Sequence, residues 1–297
     1  MELLGVPPAL RALFPAHEFY SISKRPRGEE PFDSFTSSDK ALTLGKPNGN
    51  VDKIIERMVA GLVPGPDGRP PDLLVVLEDL EPPNLHQPAL VVQIFRDAIA
   101  RHMEMLQRDT PRLVKRVEEA LRPKASFHLA VPMIEAWLFA DPNGPRNAGA
   151  PAGRLPPNWE RARDPEAFLT RDPVYLADDC SACTAWHTLL LRKKKDNTPG
   201  WLKQRREVHP KAFLAWLCRD PAEHNCSRYR ETHEGAAALG ALDFSAALRS
   251  PDHCTYLRAL VEDLADGLGE ELSLPTGGVA PSTSHRERRA SPSLRNI

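Results

Sequence analysis

Three carboxylates, each following a predicted buried strand, are the side chains best suited to carry chemistry. Asp79 and Glu81 follow the apolar run 73–77, and Glu135 follows a second apolar segment, 126–131. Alternate residues of an extended chain share one side of the backbone, so Asp79 and Glu81 point the same way. The carboxyl ends of parallel strands form the ligand-binding edge of an open α/β sheet. Because carboxylate oxygens suit Mg²⁺ or Mn²⁺, the three acids predict one metal-binding edge.

Each of these acids also has a purely structural explanation, and the sequence leaves both open. Asp79 and Glu81 could simply begin a solvated loop before Pro82, with Glu78 pointing to the opposite side. Glu135 could be an exposed glutamate in the first turn of a helix, where the helix dipole favours negative charge. Its neighbours are largely apolar, however, and burying an unpaired carboxylate among them would be costly.

The elements that must position these acids alternate between strands and helices, which predicts an α/β fold with a mostly parallel sheet flanked by helices. The apolar periodicity predicts strands at 17–23, 73–77 and 126–131, and helices at 7–14, 51–62, 88–106, 111–121, 183–193, 209–218, 234–249 and 254–266. Composition then divides the chain into an α/β domain, a Pro/Gly-rich loop, a mainly helical extension packed on the sheet, and a disordered tail: 1–141, 142–158, 159–272 and 273–297.

The overall composition excludes several classes of protein. The formal net charge of −1 predicts no general attraction to nucleic acid, so any such binding must come from local basic patches. No apolar run approaches the roughly 20 residues of a membrane span, and no export signal is visible. Five cysteines, an odd number, do not indicate a disulfide framework. These features predict a cytoplasmic protein without membrane contact.

One dense basic segment could supply such a patch. Trp186 and Trp201 lie near it in the sequence. It could follow a nucleic-acid backbone while a tryptophan stacks on a base, or it could be a solvated run of charge. The residues concerned are Arg192, Lys193, Lys194, Lys195, Lys203, Arg205 and Arg206.

A structural Zn²⁺ site is the weaker interpretation of the cysteines. Cys180 and Cys183 form one tight pair, with His187 nearby. The second half of a zinc site would need another close pair, but Cys218 and Cys226 are eight residues apart. Buried or incidental cysteines fit this spacing better.

Four motifs, in order along the chain, resemble the Toprim-like proteins grouped as domain of unknown function 4276. They are Leu74-Val-Val-Leu-Glu-Asp-Leu-Glu81, Glu135-Ala-Trp-Leu-Phe-Ala-Asp141, His209-Pro-Lys-Ala-Phe-Leu214 and Tyr229-Arg-Glu-Thr-His-Glu-Gly235. The resemblance implies a Toprim-like fold that binds Mg²⁺, related to overcoming-lysogenization-defect nucleases. In that family, Asp79 and Glu81 would form the metal-binding pair, Glu135 would be a further catalytic and metal-binding acid, and Lys211 would be a catalytic lysine.

The resemblance further implies a nuclease that cleaves DNA or RNA in bacterial anti-phage defence beside an ATPase partner. His209 would be a proton shuttle or a plain surface histidine, and Lys211 could equally be a surface lysine. The second acid of the pair is Glu81 where the family has aspartate. The first family strand, which carries another metal-binding glutamate, has no counterpart here, so either the sheet lacks this edge or the start codon lies upstream, and Glu2 falls roughly at that glutamate's place.

The missing strand favours an alternative function, a catalytically degenerate subunit that binds or assembles a defence complex. Another metal-dependent phosphotransfer on nucleotides is a third reading. An exposed sheet edge would also invite pairing with a second copy of the chain.

Overall fold

The computed structural model describes most of the chain and divides it into two compact units. The described residues are 2–21, 34–37, 40–46, 48–62, 70–155, 164–177, 206–219, 229–286 and 293–297. The first unit comprises Met1–Ser21 and Pro132–Cys254, and the second comprises Ile22–Val131 and Thr255–Ile297. The chain therefore passes from one unit to the other directly after the second strand, not at the Pro/Gly-rich loop 142–158.

The second unit contains a parallel pair of strands, β1 (Leu74–Asp79) and β2 (Ala125–Ala130), with Leu74 opposite Ala125 and Asp79 opposite Ala130. Its helices are α2 (Gly49–Leu62), α3 (Pro88–Asp109), α4 (Pro111–Lys124) and α10 (Thr255–Leu268). Short 3-10 turns lie at Pro82–Asn84 and Pro281–Thr283. The predicted α/β class with parallel strand pairing is confirmed in these elements.

Helices flank both faces of β2 because its successive side chains alternate in direction. On one face, Phe127 stacks on Phe95 of α3 with ring centroids 4.0 Å apart. On the other face, His128 lies 3.1 Å from Asp263 of α10, measured from Nε2 to Oδ2. All six residues of β2 are buried, as expected for a strand covered on both sides.

The tail that composition predicts to be disordered is ordered where the structure describes it. Leu294 and Ile297 are fully buried in the core of the second unit. Arg295 N donates to Ala125 O at 2.9 Å, and the Asn296 amide bonds to both backbone groups of Phe127. The segment thus covers the free edge of β2. The prediction of disorder rested on the average composition of the tail, which does not show that Leu294 and Ile297 fit into this core.

The first unit is built from helices and turns among its described residues. They are α1 (Glu2–Leu13), a 3-10 segment Ile134–Phe139, α5 (Gly144–Asn147), α6 (Pro173–Ala177), α7 (Pro210–Leu217), a π-helical turn Glu231–Gly235, α8 (Ala236–Gly240) and α9 (Phe244–Ala247), with 3-10 turns at Pro165–Ala167 and Arg206–Val208. The helix predicted over 183–193 and the loop residues 156–158 lie outside the described residues.

The N-terminal segment differs from its prediction and belongs to the helical unit. Instead of a short helix and a strand at 17–23, the structure has the longer α1, and the described residues 17–21 contain no strand. α1 packs against α8 so closely that a Cβ atom on Gly5 would lie 2.8 Å from Cβ of Leu239. Of the predicted helical extension, α10 packs on the sheet of the second unit, whereas α6 to α9 belong to the first.

Candidate functional site

Four of the predicted site residues fall into two groups, one in each unit. Asp79 and Glu81 lie at the carboxyl end of β1 in the second unit, together with Glu78; we call these three the acidic edge. Glu135 and Lys211 lie in the first unit, together with Tyr229 and Glu231; we call these four the lysine cluster.

Glu78 is the most buried member of the acidic edge, with 7% of its surface exposed, whereas Asp79 and Glu81 are half-buried. Its Oε1 accepts hydrogen bonds from Ser34 Oγ and from Thr36 Oγ1, the latter at 3.0 Å. Burial raises the pKa of Glu78, and these neutral donors offset the effect only in part. Alternation along the strand predicts that the side chain of Glu78 points away from that of Asp79. It does not predict the hydroxyl groups that bind Glu78 on that side.

The donors to Glu78 come from the short segment 34–37, which is fixed to the end of β1. Phe35 is buried in the core, 6.3 Å from Phe127 between ring centroids. Thr36, also fully buried, donates to Asp79 O at 2.6 Å. The only sequence signal for this contact is one phenylalanine between hydroxyl residues, in a stretch otherwise typical of a loop.

Glu81 has an unusual backbone conformation, with φ 65° and ψ 145°. The following proline explains the extended ψ, but a positive φ of this kind is strained for a residue with a Cβ. Neighbouring hydrogen bonds hold the strand end on both sides of it: Leu80 N donates to Ala130 O at 2.8 Å, and Asn84 N donates to Glu81 O at 3.0 Å. Ser37 Oγ donates to Glu81 Oε1 at 3.4 Å.

The lysine cluster brings together two residues that the resemblance implies to be catalytic. Lys211 Nζ lies 3.8 Å from Glu135 Oε1 and 2.5 Å from Glu231 Oε2. The Glu135 side chain is 2% exposed, whereas the side chains of Lys211 and Glu231 are 25% and 35% exposed. Glu135 therefore lies on the buried side of the cluster, and Lys211 and Glu231 lie on its partly exposed side.

Glu135 reaches its buried position through the 3-10 segment Ile134–Phe139, in which every residue is buried. The prediction of an exposed first-turn glutamate is thus wrong. Tyr229 Oη donates to Glu135 Oε1 at 3.4 Å. Burial, and then the negative charge of Glu135, raise the pKa of Tyr229, so the phenol stays protonated and acts as the donor.

Lys211 lies in the first turn of α7, where the helix dipole opposes a positive charge. The two carboxylates compensate for this. Burial by itself would raise the pKa of Glu231, but positively charged neighbours, first among them the Lys211 ammonium, outweigh burial and lower it. Glu231 opens the π-helical turn, a rare feature that occurs frequently at functional sites.

His209 is the N-cap of α7, because its Nδ1 accepts a hydrogen bond from Ala212 N at 3.3 Å. Loss of contact with water, and then the charge of the Lys211 ammonium, lower the pKa of His209 to about 4. A neutral ring is required to accept this bond. Capping accounts for His209 better than either a proton shuttle or a plain surface histidine.

The remaining predicted residues are less informative. Glu2 is the first residue of α1, so it does not follow a strand. Of the seven basic residues, Arg206 alone is described: it is buried, with its guanidinium carbon 4.4 Å from the centre of the Tyr175 ring. The other six lie outside the described residues, as do Cys180, Cys183 and Cys226. Cys218 is a buried free thiol, and burial raises its pKa to about 12.

The metal prediction can be compared with the donor atoms present. Within the described ranges, no group of three or more His, Cys, Asp or Glu side chains lies close enough to hold a metal ion. Mg²⁺ in proteins is commonly held by one or two carboxylates plus waters and substrate phosphates. Asp79 and Glu81 fit that smaller set in number and chemistry, whereas Glu78 is bound to hydroxyl groups.

No helix among the described residues is long and apolar enough to cross a membrane. Comparisons with protein-family models, with curated proteins and with solved structures found no match for this chain.

Proposed function

We propose that this protein is a nuclease that hydrolyses phosphodiester bonds of DNA or RNA with the help of Mg²⁺ or Mn²⁺. The observation that carries the proposal is the approach of Lys211 to the buried Glu135, with 3.8 Å between Nζ and Oε1. These residues are far apart in the sequence, and the resemblance implies that they act together. The carboxylates at the end of a parallel strand, Asp79 and Glu81, add the donor type that the metal needs.

Each residue has a role that follows from its chemistry. Asp79 and Glu81 would hold the metal ion, which supplies charge neutralisation and water activation when bound. Lys211, whose ammonium is partly exposed, would stabilise negative charge that develops on the phosphate. Glu135 would keep the ammonium in place from the buried side. We also propose that the fold of the chain is Toprim-like.

The test is cleavage of plasmid, linear and single-stranded substrates, both DNA and RNA, with Mg²⁺, with Mn²⁺ and with EDTA. Wild type is compared with Asp79→Asn, Glu135→Gln and Lys211→Met, which preserve side-chain size. We expect metal-dependent cleavage by wild type and a loss of about 100-fold or more in each variant, the usual scale for removing a group that stabilises the transition state. Glu119→Gln is the matched control, because Glu119 is an exposed carboxylate of α4.

Cleavage that survives in all three variants at the wild-type rate would contradict this proposal. So would cleavage that follows a contaminating nuclease through a further chromatography step rather than following the protein. Folded variants must be verified by thermal unfolding, because loss of a buried ion-pair partner also lowers stability.

A second candidate is a non-catalytic subunit that binds or assembles a defence complex. The deep burial of Glu135 and its contacts with Tyr229 and Lys211 favour it, since such a cluster could serve only to join the 3-10 segment, α7 and the π-helical turn. Under this alternative, the Glu135 and Lys211 variants lose stability while nucleic acid is never cleaved by any form.

The biological setting and the ATPase partner rest on the resemblance alone. Co-expression with an ATPase encoded beside this gene, followed by co-purification and a phage-plating assay, tests both. We expect the complex to restrict phage with wild type and to fail with Lys211→Met.

A further inference from the structure

Two residues of the lysine cluster were not predicted as site residues, Tyr229 and Glu231. Both belong to one short stretch, in which Tyr229 precedes the π-helical turn and Glu231 opens it. Each contacts a different member of the predicted pair: Tyr229 Oη lies 3.4 Å from Glu135 Oε1, and Glu231 Oε2 lies 2.5 Å from Lys211 Nζ.

We infer that Tyr229 and Glu231 are positioning residues, the first for the Glu135 carboxylate and the second for the Lys211 ammonium. This inference rests on the proposed function. It adds that one stretch of chain, 229–231, sets the geometry of both reactive groups, which come from two other elements.

The geometry separates the two roles. Glu231 is much closer to the ammonium than Glu135 is, 2.5 Å against 3.8 Å, so Glu231 makes the direct ion pair. The Glu135 side chain is nearly inaccessible, so Glu135 acts on Lys211 from the buried side of the cluster. Glu231 and Lys211 share the partly exposed side. Glu231 therefore orients the ammonium.

Tyr229 acts on the buried side. Its phenol is a neutral donor, because burial and the charge of Glu135 raise its pKa. A neutral donor can fix a carboxylate oxygen without cancelling its charge, so Glu135 keeps its attraction for Lys211. A lysine or arginine in place of Tyr229 would compete for Glu135 instead.

The π-helical turn also offers a matched control on the same stretch. Glu234 is a carboxylate three residues after Glu231, and its Oε1 is paired with Arg230 Nη2 at 2.6 Å. Hydrogen bonds from Arg230 lower the pKa of Glu234 to about 2, so it is charged like Glu231. It contacts Arg230 rather than Lys211, and its loss should leave the lysine cluster intact.

The test combines kinetics with a readout that needs no activity. Wild type, Glu231→Gln, Glu231→Asp, Tyr229→Phe and Glu234→Gln are compared for kcat and KM on a single-stranded oligonucleotide with Mn²⁺. The same proteins are treated with a trace of acetic anhydride, and the acetylation rate of Lys211 relative to other lysines is measured by mass spectrometry. Thermal unfolding confirms that each variant is folded at the assay temperature.

We expect Glu231→Gln to lower kcat by about 10-fold with KM changed less than about 2-fold, because ground-state binding persists while the ammonium is misplaced. Glu231→Asp should recover to within about 3-fold of wild type, because it restores the charge. Tyr229→Phe should lower kcat by about 3-fold, the scale of one neutral hydrogen bond. Lys211 acetylation should rise by about 3-fold or more in Glu231→Gln, because the ion pair shields the amine, and stay unchanged in Glu234→Gln.

A Glu231→Gln variant with wild-type kcat and wild-type Lys211 acetylation would overturn the inference, and so would equal effects of Glu231→Gln and Glu234→Gln. Absence of cleavage by wild type would instead overturn the proposed function. The acetylation rates would then still decide whether Glu231 holds the Lys211 ammonium.

Discussion

Two glutamates, Glu78 in the acidic edge and Glu231 in the lysine cluster, respond to burial in opposite directions. Both pay a desolvation cost, which by itself raises the pKa of a carboxyl group. At Glu78 the partners are two hydroxyl groups and two backbone amides, and the pKa is raised. At Glu231 the partner is the Lys211 ammonium, and the pKa is lowered.

The charge of the partner decides the direction of the pKa shift more than the number of hydrogen bonds does. Glu78 accepts from both Ser34 and Thr36, yet neutral donors do not offset its burial. At Glu231 positively charged neighbours do, the largest contribution coming from the Lys211 ammonium 2.5 Å away, helped by the greater exposure of that side chain. Glu78 therefore favours holding a proton, whereas Glu231 favours its charged form.

The largest expected effect is in the lysine cluster. Lys211→Met leaves the buried Glu135 without its ammonium partner, and removing one member of a buried pair costs about 3 kcal/mol of unfolding free energy. Urea denaturation at neutral pH measures this. The double variant with Glu135→Gln should recover at least half of the loss, because no uncompensated buried charge remains. Recovery of less than a quarter would mean that Glu135 and Lys211 do not stabilise each other.

The next effect concerns the strained end of the acidic edge. Glu81→Gly should stabilise the protein by about 1–2 kcal/mol, because glycine accepts the positive φ that costs other residues about 1–3 kcal/mol. The same variant should abolish cleavage if Glu81 holds the metal. Asp79→Gly is the matched control and should be destabilising, since glycine weakens an ordinary strand position. Destabilisation by Glu81→Gly would show that the backbone there is not strained.

A smaller effect tests the raised pKa of Glu78. The folded protein keeps a proton on Glu78 at pH values where the unfolded chain has released it, so this stability is present below the ordinary pKa of 4.5 and is lost as pH rises through the folded-state pKa. Glu78→Gln does not titrate. It should be more stable than wild type by about 1 kcal/mol at neutral pH, and the difference should vanish below pH 4.5. Equal stabilities across this range would remove the contrast with Glu231.

The smallest effect has the opposite pH dependence. The pKa of Glu231 is lowered, so its stabilisation is present above 4.5 and is lost as pH falls through the folded-state pKa. Because the pair is partly solvated, Glu231→Gln should cost only about 0.5 kcal/mol at neutral pH. The cost should disappear in acid and shrink in 1 M salt. A loss that grows as pH falls would reverse the assigned sign.

Local patterns in the sequence were enough to predict several helices, both strands of the second unit and the acids that follow β1. Apolar periodicity predicted α2, α3, α4, α7 and α10 closely, and it predicted both strands to within two residues at each end. These succeed because alternation along a strand and the repeat of a helix are properties of neighbouring residues. The same alternation predicts Asp79 and Glu81 on one side of the chain, but β1 ends at Asp79 and Glu81 has a positive φ, so Glu81 lies outside the regular strand.

The burial of each acid and the partner that it has depend on contacts that form only in the folded protein. Thr36 reaches Glu78 across 42 positions of sequence and Tyr229 reaches Glu135 across 94, and no local pattern encodes such contacts. The same holds for α1, which packs with α8, a helix far from it in the sequence. It also holds for Leu294 and Ile297, whose burial could not be predicted from composition. Burial and partner charge set the protonation of a carboxyl group, so the chemistry of these glutamates is a property of the fold.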